Sequence, residues 1–419
     1  MTQSPTPPEA ARAVQALHPV ARLPAEWSQA LSAVGQRSFR GRQVFQWIHA
    51  RGQFDPSQMS NLGAPLRSWL VDQGLAAPLS VQSVRRSGDG TRKLLLQLPA
   101  GGLVECVLIP MTDDPVDADA AACEDEDETG DRARRGSASK AAGAADAPRR
   151  RVTLCISTQV GCAMGCVFCA SGQAGLERGL DAAEIVAQVL LSRRYLEPDE
   201  QLRNLVYMGM GEPLHHYEQT ARSIRLVTHP DGLGMSPRRI TVSTVGLVPG
   251  IRKLGEDFEG KIGLAVSLHA PDDETRSRIM PINRRFDMQR LLAELRRYPL
   301  PRRRRITIEY TLIHGVNDSP QHARKLAAVL AGMRIKVNLI PMNRIAASDF
   351  GPPPADFVER FHGVLSAQRV SCSVRKRRGD DVEAACGQLA LEQSGALLEL
   401  GRSPRPREPS DAKPDGEHV

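Results

Sequence analysis

Residues 152–169 read Val152-Thr-Leu-Cys155-Ile-Ser-Thr-Gln-Val-Gly-Cys162-Ala-Met-Gly-Cys166-Val-Phe-Cys169. The apolar run Val152–Ile156 predicts a strand. Just beyond it Cys162, Cys166 and Cys169 place three thiols on one short loop. Three thiolates on a tight loop can hold three corners of a cubane iron–sulfur cluster, leaving the fourth iron open to a small molecule. Phe168 would cover such a cluster against water. Two other readings compete. Structural zinc usually takes four protein ligands, often as two C-x-x-C pairs, and no second pair stands at that spacing here. The other alternative is three unrelated cysteines.

Beyond the cysteines, short β segments alternate with helical patterns. The expected strands are 152–156, 204–208, 239–243, 262–267, 305–310 and 336–340, and helices are expected at 182–195, 216–228, 288–297 and 320–330. Such repetition predicts an α/β protein with a parallel sheet. Six units suit a partial barrel whose functional face lies at the C-terminal strand ends. Met208-Gly-Met-Gly-Glu-Pro213 follows a strand, so Gly211 lets the backbone approach a ligand and Glu212 offers a carboxylate to an ammonium group. Ser243, Ser267, His269 and Asn343 fall at later strand ends. Each alone reads as an ordinary loop polar group; their successive placement favours a ring around one ligand.

The chain has 419 residues, 41% of them apolar, enough for one large domain or two to three smaller ones. Aromatics at 4% argue against a broad base-stacking platform. The net charge of +7 suits a polyanionic partner, although any basic soluble protein reads the same way. No stretch approaches the ~18 apolar residues of a membrane span. The first residues carry Pro and charge where a signal peptide needs an apolar core, so a cytoplasmic location is expected. In that compartment eight cysteines read as ligands or reactive thiols rather than a disulfide framework.

The organisation expected from composition is a flexible leader (1–22), an N-terminal helical module (23–90) and a β extension (91–111). A disordered acidic insertion (112–150), the partial barrel (151–390) and a disordered tail (391–419) follow. In the helical module Phe39, Val44, Phe45, Trp47 and Ile48 stand near helical spacing, with Arg40, Arg42 and Arg51 between them. That pattern reads as a solvated basic face or as an RNA-docking surface. Arg302–Arg305 and Arg375–Arg378 are further basic clusters, expected near the functional face as phosphate contacts. Cys155 and Cys386 read first as small buried residues. Cys386 follows a basic run and an acidic pair, and neighbouring cations raise thiol reactivity.

The C-x-x-x-C-x-x-C spacing resembles the radical S-adenosylmethionine superfamily. SFRGRQVFQWIH, LVECVLIP, CISTQVGCAMGCVFCASGQAGLERGL, MGMGEPLHHYE, AVSLHAPDDETR and RKRRGDDVEAACGQL occur in order across most of residues 23–390. Together they resemble the radical-SAM RNA methyltransferases of RlmN and Cfr type. The acidic insertion departs from that pattern, but it falls in a connection.

The resemblance implies a partial (β/α)6-type radical-SAM barrel behind a small N-terminal helical domain. It implies a 4Fe-4S cluster on Cys162, Cys166 and Cys169. It also implies S-adenosyl-L-methionine, two molecules per turnover, contacted by Gly211, Glu212, Ser243, Ser267, Leu268, His269 and Asn343. One molecule would methylate Cys386; the other, cleaved at the cluster, would supply a radical that activates that methyl group. The activated carbon would add to the electron-poor C2 of an adenine. Glu105 would act as proton acceptor, and Cys155 would release the product through a transient disulfide with Cys386. The implied substrates are an adenosine in the peptidyl-transferase region of large-subunit rRNA and the adenosine 3′ of certain tRNA anticodons. An electron-donor protein and a monomeric chain are expected. Cfr-like methylation at C8 and a non-catalytic zinc-stabilised RNA-binding protein are the alternatives.

Overall fold

Branched apolar runs joined by amphipathic helices bury both sheet faces when the strands run parallel and the helices cover them. The computed structural model, which describes residues 17–111, 149–345, 348–375 and 378–382, follows this rule. Its strands are β1 (Ser80–Arg86), β2 (Arg92–Gln97), β3 (Leu103–Pro110), β4 (Arg150–Cys155), β5 (Gln159–Gly161), β6 (Leu176–Gly179), β7 (Glu200–Tyr207), β8 (Ile240–Thr244), β9 (Gly263–Ser267), β10 (Ile306–Leu312), β11 (Ile335–Pro341) and β12 (Cys372–Val374). The order in the main sheet is β1-β2-β3-β4-β7-β8-β9-β10-β11-β12. From β4 to β12 every pairing is parallel, whereas β1, β2 and β3 add on antiparallel. β5 and β6 form a separate hairpin beside the cysteine loop.

The helices are α1 (Pro24–Ser32), α2 (Phe39–Phe45), α3 (Ala64–Asp72), α4 (Ala170–Ala174), α5 (Ala182–Ser192), α6 (Tyr217–Thr228), α7 (Val248–Phe258), α8 (Asp273–Ile279), α9 (Met288–Arg297), α10 (Pro320–Leu330) and α11 (Ala355–Ala367). Local chemistry sets their starts. The Asp287 side chain accepts from the Arg290 N–H at the start of α9, and α9 buries Met288, Leu291, Leu292 and Leu295. Ser319 caps α10, with Pro320 at its first position. Every residue of α5 is buried, and a helix covered on all sides needs a second layer. The N-terminal module provides it. Arg193 and Arg194, just after α5, donate to the carbonyls of Ala50 and Gly52 at 3.1 and 2.8 Å. Arg222 of α6 pairs with Glu26 of α1.

Three expectations need correction. The leader ends before residue 22: Pro19–Ala21 form a buried 3-10 turn, and Arg22 is buried with its guanidinium against the Trp27 ring. The span 23–90 is not wholly helical, because Ser80–Arg86 joins the main sheet through β2. Arg302–Arg305 precede β10, so they lie at the N-terminal strand ends, opposite the face on which they were expected. A seventh parallel strand, β12, extends the six expected. Among the described residues no helix is long and apolar enough to cross a membrane.

Candidate active site

A parallel sheet delivers all of its strand-end loops to one side. The cavity on that side is lined by Cys169, by Gly211 and Glu212 after β7, by Ser243 of β8 and by Ser267 and His269 around the end of β9. Asn343 after β11 and Arg375 after β12 complete that wall. Residues from strands spread across the sheet can face one cavity only if the sheet curves, as a partial barrel does. Seven of the predicted site residues therefore meet here. Leu268 is fully buried and stands between two of them in sequence.

The cysteine loop is built by tight turns. Gly165 has φ +63°, and the Cys169 N–H donates to the Cys166 carbonyl at 3.2 Å. Cys162 and Cys166 are buried in an apolar cluster with Met164, Ile279, Met280 and Met342, and Phe168 and Cys169 pack against it. Burial pushes the Cys162 thiol up to about 12 and Cys166 well above the ordinary value, and Cys169 adds to both shifts. Three thiolates this close in an apolar setting need cations to compensate them, so the donor set fits an iron–sulfur cluster.

Gly211 has φ +98°, and a Cβ there would lie 2.5 Å from Gln159 Cβ, so the turn ahead of Glu212 demands glycine. Gln159 fixes it further by accepting from the Glu212 N–H at 2.9 Å. The Glu212 carboxylate accepts from the N–H groups of Leu214 and Val245 at 3.1 and 2.9 Å. Burial nevertheless pushes its pKa up to about 7.

His269 has φ +55°, a conformation unfavourable for a non-glycine residue. Two groups hold it. Asn317 Nδ2 donates to its carbonyl at 2.7 Å, and the Thr311 N–H donates to Nδ1 at 2.8 Å. That second bond places the proton of the neutral ring on Nε2, and burial pushes the imidazole pKa down to about 3. The Phe168 ring meets it edge-on at 4.7 Å.

Arg276, fully buried, ties the strand ends together. It donates to the carbonyls of Val245, Ser267 and Leu268 and to Asn283 Oδ1. Sequence reasoning missed Arg276, Asn317, Gln159 and Glu309, whose partners lie on other elements. The positive φ of His269 has no counterpart in its own residue type.

Glu105 and Cys155 lie outside the cavity lining. Glu105 is buried on β3, and Lys93 Nζ is 3.2 Å from its Oε1. Cys155 pairs in register with Val107 of β3, so Glu105, Val107 and Cys155 share one sheet face. The Cys155 neighbours in the sheet are Val107 and Val206. Cys386, with its proposed disulfide to Cys155, lies outside the described residues. So do most of the acidic insertion and the whole tail expected at 391–419.

Two stretches of the chain match known protein families. Residues 156–327 match the radical SAM superfamily, and residues 25–74 match the ribosomal RNA large subunit methyltransferase N-terminal domain. The dual-specificity RNA methyltransferase RlmN of Sorangium cellulosum is 60% identical over 93% of this chain and 98% of its own. That of Geobacter sulfurreducens is 41% identical over 88% of this chain and 92% of its own. A radical SAM methyltransferase structure from Sphaerobacter thermophilus superposes with a TM-score of 0.77 at 39% identity, covering 89% of this chain and 99% of that one.

Proposed function

The chain belongs to the RlmN family of dual-specificity RNA methyltransferases, and from that premise we propose that it methylates C2 of adenosine in large-subunit rRNA and in tRNA. The observation that carries this reading is the convergence of Cys169, Glu212, Ser243, Ser267, His269 and Asn343 on one cavity beside Cys162 and Cys166. C2 of adenine is electron-poor and does not attack a methyl sulfonium, so methylation there needs one-electron chemistry. The cluster and S-adenosylmethionine supply that chemistry when bound.

In this reading Cys162, Cys166 and Cys169 hold the cluster. Glu212 accepts hydrogen bonds from the cofactor amino group, and Gly211 leaves room for it. Ser243, the Ser267-Leu268-His269 turn and Asn343 contact the rest, with His269 offering an N–H from Nε2. Phe168 and the apolar cluster exclude water. Cys386 carries the methyl group, Cys155 attacks the Cys386 sulfur to release the product, and Glu105 takes a proton. Lys93 beside Glu105 supplies a counter-charge for that carboxylate. Cys386 would take its methyl group from one S-adenosylmethionine, and a second, held by the residues named above, would supply the one-electron chemistry. We assign the chain to the cytoplasm, as a monomer served by an electron-donor protein.

Product analysis tests the reading. Digested rRNA and tRNA from cells with and without the gene should differ in 2-methyladenosine by mass spectrometry. Appearance of 8-methyladenosine instead would move the target to C8. Cys386→Ala should abolish product while retaining iron and sulfide. Normal product from that variant would remove the methyl-carrier role.

A further inference from the structure

Side chains alternate along β10, so Glu309 faces the cavity while Ile308 and Tyr310 point the other way. In register, Glu309 pairs with Ser267 of β9 and Asn338 of β11, and Asn338 pairs with Ser373 of β12. Four polar residues thus form one level across four neighbouring strands, where a barrel interior is normally filled by branched apolar side chains. Three of them are wired together. Ser373 Oγ donates to Asn338 Oδ1 at 3.1 Å, and Asn338 Nδ2 donates to Glu309 Oε1 at 3.1 Å. The chain of bonds stops at Glu309 Oε2, which is buried and has no hydrogen-bond partner among the described residues. Burial pushes this carboxyl up, and the nearby Arg375 charge opposes the shift. A buried acceptor that is oriented by two other residues yet left unmatched calls for a donor from a ligand.

We propose that Glu309 Oε2 accepts a hydrogen bond from a ribose hydroxyl of the nucleoside bound in this cavity. The assignment rests on the methyltransferase reading and deepens it. Carboxylates are the usual acceptors for ribose hydroxyls in nucleotide sites. Glu212, at the end of β7, stands three strands away from β10 in the sheet. One wall therefore offers a carboxylate for an ammonium and the opposite wall one for hydroxyls. Around Glu309 the lining includes the neutral Ser267, His269 and Thr311, and the Arg375 and Lys336 charges already act on its carboxylate, so a neutral hydroxyl suits it better than a further cation. The ribose belongs either to the cofactor or to the target nucleotide.

The test is equilibrium binding to the full chain, prepared without oxygen and loaded with iron and sulfide. The probes are S-adenosylmethionine, its 2′- and 3′-deoxy analogues, and a substrate RNA with ribose or 2′-deoxyribose at the target adenosine. If the cofactor ribose is held, Glu309→Gln should weaken S-adenosylmethionine about tenfold or more. It should leave at least one deoxy analogue, already weak with the wild type, nearly unchanged. If the RNA ribose is held, the same pattern appears with the two RNAs. A Glu309→Gln chain that binds every probe as the wild type does, or loses natural and deoxy forms equally, overturns the proposal. A wild type that binds none of the probes overturns the methyltransferase reading with it. Asn338→Ala, which removes the orienting donor but keeps the carboxylate, should give a smaller loss with the same preference between sugar forms.

Discussion

Glu212 is a carboxyl whose surroundings hold back its ionisation, with a pKa pushed up to about 7 from 4.5 by burial. Between those values the ligand-free folded chain keeps a proton that the unfolded chain has released. Stability from this group therefore falls as pH rises from about 4.5 to 7 and stays low above, a swing of at most roughly 3 kcal/mol. His49 and His269, each pushed down to about 3, act in the opposite sense, losing stability as pH falls from 6.5. The comparison that isolates Glu212 is thus wild type against Glu212→Gln. Urea unfolding at a series of pH values should show the wild type losing ground to the variant across pH 4.5–7. A constant difference would mean that burial does not govern this carboxyl. The cysteines and Glu212 were legible in the sequence because their chemistry sits in one local motif. Glu309 and Arg276 were not, because a Glu inside a strand or an Arg in a short helix reads as a solvent-facing residue until the neighbouring strands are known.

The helical module depends on one close approach. A Cβ on Gly41 of α2 would lie 2.5 Å from the Ser28 backbone nitrogen of α1, and backbone cannot yield as a side-chain tip can. Gly41→Ala should push the two helices apart and cost roughly 1–3 kcal/mol by denaturant unfolding. An unchanged midpoint would show that α1 and α2 tolerate separation. Elements with caps and a clear apolar period were legible: α9 and α10 fall at the residues their patterns predicted. β1 was missed because Ser80–Arg86 is exposed or only half-buried along its length and lacks an apolar run. β12 is three residues long, and only pairing with β11 identifies it. In α7, Pro249 and Gly250 at the start disguise a helix that buries Ile251 and Leu254. In the N-terminal module Val44, Phe45 and Ile48 are core, but Phe39 is 49% exposed beneath Arg40. Spacing alone could not separate those two fates.

At the scale of the whole molecule the parallel order of β4 and β7–β12 puts chemistry at one end of the sheet. Composition could not say which basic cluster shares that end. Arg375 does, whereas Arg302–Arg305 sit at the other. The same topology makes the acidic segment separable from the site. β3 and β4 are antiparallel neighbours, Pro110 faces Val152, and the Met111 N–H donates to the Arg151 carbonyl at 2.8 Å. The chain therefore leaves the sheet and re-enters it at nearly the same point. A short Gly–Ser turn can bridge that gap as well as residues 112–148 do. Closing a shorter loop costs less entropy, so the replacement should raise stability by roughly 1–2 kcal/mol. Denaturant unfolding reads that gain, and product analysis of rRNA and tRNA should find methylation unchanged. A loss of several kcal/mol, or of product, would show instead that the acidic segment packs on the sheet or takes part in handling RNA.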